Sequence, residues 1–191
     1  MRYLCTILYL ASAGLAFGQE RTGDGSRENP FLGEPAPLME AIVLYEEIRD
    51  QKQGRFTATQ LEEQLKKRIP GRAGEATWEV TVAHQLSMLT ALLQNGGEYR
   101  MAAAVADRTI AQYNSAESVL SREGASAQQR ARMAAHAGKL QEEFVGDAEG
   151  AEASYQRALA LDPSHEQAKR SRDRLEQSKL VKPTRGKGGE G

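Results

Sequence analysis

Between residues 38 and 178, apolar and small side chains recur at steps of three and four, with no run of alternating β-branched residues to compete. That spacing draws one stripe along a helix and scatters side chains over both faces of a strand, so an all-α fold is the expected class. The stripe is strongest in Trp78, Val82, Leu86, Leu89 and Leu93, at spacings of four, four, three and four, which predicts a helix over 77–94 stopped by Asn95-Gly96-Gly97.

The same reading divides the rest of the body. Leu38, Ile42, Tyr45 and Ile48 predict a helix over 38–52, broken by Gly54. Thr59 and Glu62 have the spacing of a capping box for a second helix ending at Ile69, before Pro70-Gly71. Tyr99, Ala102, Ala106, Ile110 and Tyr113 predict a helix over 98–113, followed by a turn or two at 115–123, an interruption at Gly124 and a restart at Ser126. Ala127, Ala131, Ala134, Gly138, Leu140 and Phe144 then mark an alanine-rich helix ending at Gly146. Asp147 is placed to cap a helix over 148–161, which Asp162-Pro163 stops. A polar helix over 165–178, opened by Ser164 and Gln167, fits a lid over the end of a helical stack.

The two ends read differently. Residues 3–17 carry no charge, follow Arg2, and lead to the small residues Ala16 and Gly18, the layout of a secretory signal peptide over 1–18 cleaved near Gln19. Fifteen helical residues span about 22 Å against a hydrocarbon layer of roughly 30 Å, which disfavours a membrane anchor. Export to a periplasmic or secreted location is the expectation. The single cysteine, Cys5, lies in this segment, so a mature chain of about 173 residues has no thiol for disulfide, nucleophile or thiolate-metal chemistry. Residues 19–37 are rich in Gly, Pro and charge and read as a flexible arm, and 179–191 read as a disordered basic tail.

Two stretches repeat each other. In the second, Gly146-Asp147, Ala151, Tyr155, Ala158 and Asp162-Pro163 stand at the offsets of the second helix of a tetratricopeptide repeat, and GDAEGAEASYQRALALDP resembles that helix almost throughout. The first helix of this repeat is carried by Ala134, Gly138 and Leu140, provided one extra residue is accommodated at Phe144-Val145-Gly146, and Gln141 stands where the family has an aromatic. An earlier unit keeps the offsets at Leu86, Leu89, Leu93, Gly97, Tyr99, Ala102 and Ala106, with Thr109 and Asn114 replacing the later alanine and proline. The repeats cover about 131–163 and 83–114, with some fifteen extra residues around 115–126.

The resemblance implies a short α-solenoid of antiparallel helix hairpins, with helical caps at 38–69 and 165–178. It also implies a groove lined by the first helix of each hairpin, holding an extended or helical segment of a partner protein. By register the lining residues are His84, Ser87, Ala91 and Gln94, then Arg132, Ala135, Lys139 and Glu142. The subgroup that grips chaperone C-terminal carboxylates has lysine and asparagine where Ser87 and Ala91 stand, so the resemblance does not extend to that activity.

Motifs for chemistry are sparse. There is no phosphate loop, dinucleotide glycine pattern or Gly-x-Ser-x-Gly elbow, so no cofactor is expected. The three histidines, His84, His136 and His165, fall on different predicted helices, and no metal-ligand spacing appears. The adjacent carboxylates Glu46-Glu47, Glu62-Glu63 and Glu142-Glu143 diverge around a helix and read as solvated faces. The expectation is a binding or assembly module with no catalytic residues. The alternative is a helical cell-wall lyase using a single buried glutamate, with Glu79 beside Trp78 and Glu98 beside Tyr99 as candidates.

A net charge of −1 gives no concentrated basic surface for nucleic acid. Charge is nevertheless uneven: residues 19–162 hold 16 basic and 22 acidic side chains, while 163–191 hold 8 and 4. Arg170, Arg172, Arg174, Lys179, Lys182, Arg185 and Lys187 form a basic end suited to an anionic envelope surface or an acidic partner, or simply solvated.

Overall fold

The computed structural model describes residues 39–50, 56–69 and 74–181, and all regular structure among them is helical. Seven α-helices follow one another: α1 Met39–Asp50, α2 Ala58–Arg68, α3 Glu75–Asn95, α4 Tyr99–Arg122, α5 Ala127–Leu140, α6 Ala148–Leu161 and α7 Glu166–Val181. A π turn, Gln141–Val145, lies between α5 and α6. The all-α expectation is met. The expected signal segment, the arm, the stops at Gly54 and Pro70-Gly71, and tail residues 182–191 lie outside the described residues. The chain divides into two compact units, Met1–Val105 and Ala106–Gly191, with the division falling inside α4.

In the first unit, the stripe on α3 is buried as its spacing dictates. Val82, Leu86, Leu89 and Leu93 join Ala41 and Leu44 of α1, Leu61 and Leu65 of α2, and Ala102 and Val105 of α4 in one apolar cluster. Buried Gln85 of α3 accepts the Ala41 N–H at 2.9 Å, which satisfies one of the first-turn donors that α1 cannot pair internally. Trp78 Nε1 donates to the Ile69 carbonyl at 3.3 Å, and the Lys66 ammonium lies 6.0 Å from the Trp78 ring. Arg68 of α2 holds Glu47 of α1 in a two-point pair at 3.1 and 2.6 Å, and this bond keeps the Glu47 carboxyl below the usual range.

The cap of α2 is displaced from the expected Thr59–Glu62 pair. Thr57 is the N-cap, with extended backbone; its hydroxyl accepts the Gln60 N–H at 3.2 Å, and Gln60 Oε1 accepts the Thr57 N–H at 2.8 Å. Both threonines have an acceptor three residues on, and the helix starts at the earlier one. The α3–α4 hairpin turns at Gly97, whose φ of +86° suits glycine. Tyr45 of α1 lies over the neighbouring Gly96, where a β-carbon would collide with its hydroxyl.

In the second unit, α4 runs on to Arg122, so the expected break after 113 is absent. No glycine or proline stands between Tyr99 and Glu123, and Asn114, lying where a proline would end the helix, leaves the backbone free to continue. Gly124, at φ +75°, then turns the chain. The Ser126–Gln129 capping box starts α5, with reciprocal bonds of 3.2 and 3.0 Å. Glu117 of α4 takes Arg157 of α6 at 3.2 Å and Arg130 of α5 at 3.7 Å, while Arg157 also donates to Asn114 at 2.7 Å.

Helices α5 and α6 cross closely through small residues. A β-carbon on Gly138 would lie 2.9 Å from the Tyr155 ring and 3.2 Å from the Ala151 carbonyl oxygen. Ala131, Ala134, Ala135, Ala151, Tyr155, Ala158, Ala168 and Leu175 form the cluster at this crossing. At the hairpin turn, Gly146 is left-handed at φ +76°, and Asp147 accepts the Gly150 N–H at 2.9 Å as the N-cap of α6.

The start of α7 also departs from expectation. Ser164 does not cap it: the Ser164 hydroxyl and N–H both donate to Asp162, at 2.6 and 3.0 Å, and these bonds hold the Asp162 carboxyl low. His165 takes the cap position, its Nδ1 accepting the Ala168 N–H at 3.3 Å. The helix continues to Val181, past the expected end at 178.

Candidate functional site

The residues singled out by register fall on two elements of the first kind in each hairpin. His84, Ser87, Ala91 and Gln94 are all on α3, and all are half-buried. Arg132, Ala135 and Lys139 are on α5, and Glu142 is in the π turn. Their fates differ with their surroundings.

His84 is only partly exposed, and burial of its imidazole pushes its pKa down to about 4. It is therefore a neutral hydrogen-bonding group at neutral pH. Ala135 is buried in the α5–α6–α7 cluster and offers no surface to a ligand. Arg132 is half-buried and contributes to the low Asp162 pKa. Lys139 Nζ lies 3.9 Å from Glu143.

Glu142 is the most heavily engaged of the set. Arg174 of α7 donates to its Oε1 through Nε and Nη2, at 3.1 and 2.8 Å, and to its Oε2 through Nη2 at 2.9 Å. The Tyr155 hydroxyl donates to the same Oε2 at 3.0 Å. Burial, reinforced by the neighbouring carboxylate, raises the Tyr155 phenol well above its ordinary value, so it remains a donor throughout the physiological range. Burial likewise raises the Glu143 carboxyl.

Two participants escaped the sequence reading. Arg174 looked like one more charge of a basic end, and its partner lies 32 positions away with nothing local to mark the pair. Gln141, noted only for replacing an aromatic, accepts the Ser154 hydroxyl at 2.6 Å inside the hairpin. The basic end is also partly neutralised: Arg170 pairs with Glu166 at 3.7 Å, and Arg172 with Asp173 at 2.9 Å. Lys182, Arg185 and Lys187 lie outside the described residues.

The glutamates considered for catalysis do not form a cleft. Glu98 is exposed beside an exposed Tyr99, and Glu79 is half-buried on α3. A depression of about 210 Å³ is lined by Leu159, Pro163, Lys169 and Arg172, smaller than the roughly 300–1,000 Å³ of small-molecule sites. Among the described residues, no group of three or more His, Cys, Asp or Glu is placed to hold a metal ion. None of the described helices is long and apolar enough to cross a membrane. No protein-family model, curated protein or solved structure matches the chain.

Proposed function

We propose that the chain is an exported, tetratricopeptide-like binding module that holds a segment of a partner protein and performs no catalysis. The observation that carries this reading is the π turn. The stretch from Ala131 to Gly146 exceeds the repeat spacing by one residue, and a π turn is the means by which a helix absorbs one extra residue without losing its direction. With the surplus taken up at Gln141–Val145, Gly138 meets Tyr155 and Ala151, Gly146 turns, Asp147 caps, and Asp162 ends α6, in the order the repeat requires.

The face offered to a partner consists of His84, Ser87, Ala91 and Gln94 on α3, and of Arg132 and Lys139 on α5. Neutral polar groups and two cations at helical spacing suit a polar or acidic polypeptide segment better than a small molecule. Export rests on the uncharged segment at 3–17. The test is affinity capture with residues 19–191 from a chemically crosslinked envelope extract of the source cells. A discrete co-purifying protein, lost when Lys139 and Arg132 are both changed to Glu in a folded variant, is expected; capture of nothing above a bead control overturns the reading.

A further inference from the structure

We infer that α7 is a lid latched to the α5–α6 hairpin by the Arg174–Glu142 pair, and that it opens as a local unit while the hairpin stays folded. This inference stands apart from the binding proposal and needs no partner.

The apolar hold on α7 is slight. Of its described side chains, Ala168, Ser171 and Leu175 are buried, at steps of three and four, and they rest on alanines and the Tyr155 ring. A short polar helix of this kind has little stability of its own in water. Its docking therefore depends on what its polar groups reach.

Those polar groups fall into two sets. Arg170–Glu166, Arg172–Asp173 and Arg172–Glu176 are pairs within α7, and they persist whether or not the helix is docked. Arg174 instead crosses to Glu142, whose side chain is 17% exposed, and closes a multidentate guanidinium–carboxylate contact shared with the Tyr155 hydroxyl. Ser171 joins the same group by hydrogen bonding to Tyr155. Undocking breaks this bond set and leaves Glu142 beside Glu143, with Lys139 as the nearby cation. The contact that distinguishes docked from open is thus an ion pair on one carboxylate, and Arg174 is itself well exposed, within reach of salt.

Hydrogen exchange of the full chain, followed by mass spectrometry over 166–178 and 148–161, tests the latch. In Arg174→Met, exchange over 166–178 should accelerate roughly three- to tenfold, the range for losing a partly exposed but multidentate pair. Exchange over 148–161 should stay unchanged. Raising the salt to about 0.5 M should accelerate 166–178 in the wild-type chain and leave Arg174→Met unmoved. The exchanged pair Glu142→Arg with Arg174→Glu should recover part of the protection. Equal acceleration over both segments overturns the proposal, because α7 would then unfold only with the hairpin; so does unchanged exchange over 166–178 in Arg174→Met.

Discussion

Replacing Tyr155 with alanine should destabilise the second unit by about 3–5 kcal/mol, the range for deleting a large buried ring. Tyr155 is 1% exposed, packs against the position where Gly138 lacks a β-carbon, and lies among alanines too small to close over the space its ring would leave. Tyr155→Phe retains the ring and removes the hydroxyl that Glu142 and Ser171 share, and should cost about 1 kcal/mol. Urea unfolding followed by far-ultraviolet circular dichroism measures both variants. A loss under about 1 kcal/mol for the alanine variant, the size of an ordinary surface change, would contradict the close α5–α6 crossing.

The second large effect concerns pH. The imidazole of His84 has its pKa lowered to about 4 in the folded chain, against about 6.5 when unfolded. The unfolded state therefore binds the proton more tightly, and the contribution of neutral His84 is complete above pH 6.5 and lost as the pH falls towards 4. A shift of this size corresponds to at most about 3 kcal/mol, of which about 2 kcal/mol is gone by pH 5. In His84→Gln, which carries no ionisable group, the extra loss of stability between pH 7 and pH 5 should disappear. Trp78 shares α3 with His84 and is the chain's one tryptophan, so its fluorescence reports on this helix directly. Equal pH dependence in both proteins would show that His84 is not held neutral by burial.

Helix positions were legible because burial on one side of a helix imposes steps of three and four, and Trp78 to Leu93 obeys them without exception. The turn at Gly96-Gly97, the Ser126 restart and the Asp147 cap were legible because free backbone donors and left-handed turns demand a few residue types. Cap choice was less determined. Thr57 and Thr59 both have a side-chain acceptor three residues later, and Ser164 and His165 both have a lone pair to offer, so the outcome depends on where the incoming chain leaves extended geometry.

The candidate site was legible only as a register. Spacing assigned Ala135 and Lys139 to one face, but whether the next helix covers that face depends on α7, and Ala135 is covered. The π turn has no compositional mark in QEEFV, and only the count of residues between Gly138 and Gly146 betrays it. Arg174 and Glu142 are joined by the folding of two intervening elements, which no local pattern records.

The central claim, a polypeptide-binding face on the first helices of the hairpins, is tested most directly by site-specific photocrosslinking in the source cells. A photoreactive residue would be placed singly at Ser87 or Lys139, both half-buried on that face, and at Ala153 or Gln156, both exposed on α6. The expected result is one protein adduct of the same mass from Ser87 and from Lys139, and none of that mass from Ala153 or Gln156. Identical adducts from all four positions, or no adduct from Ser87 and Lys139, would contradict the claim.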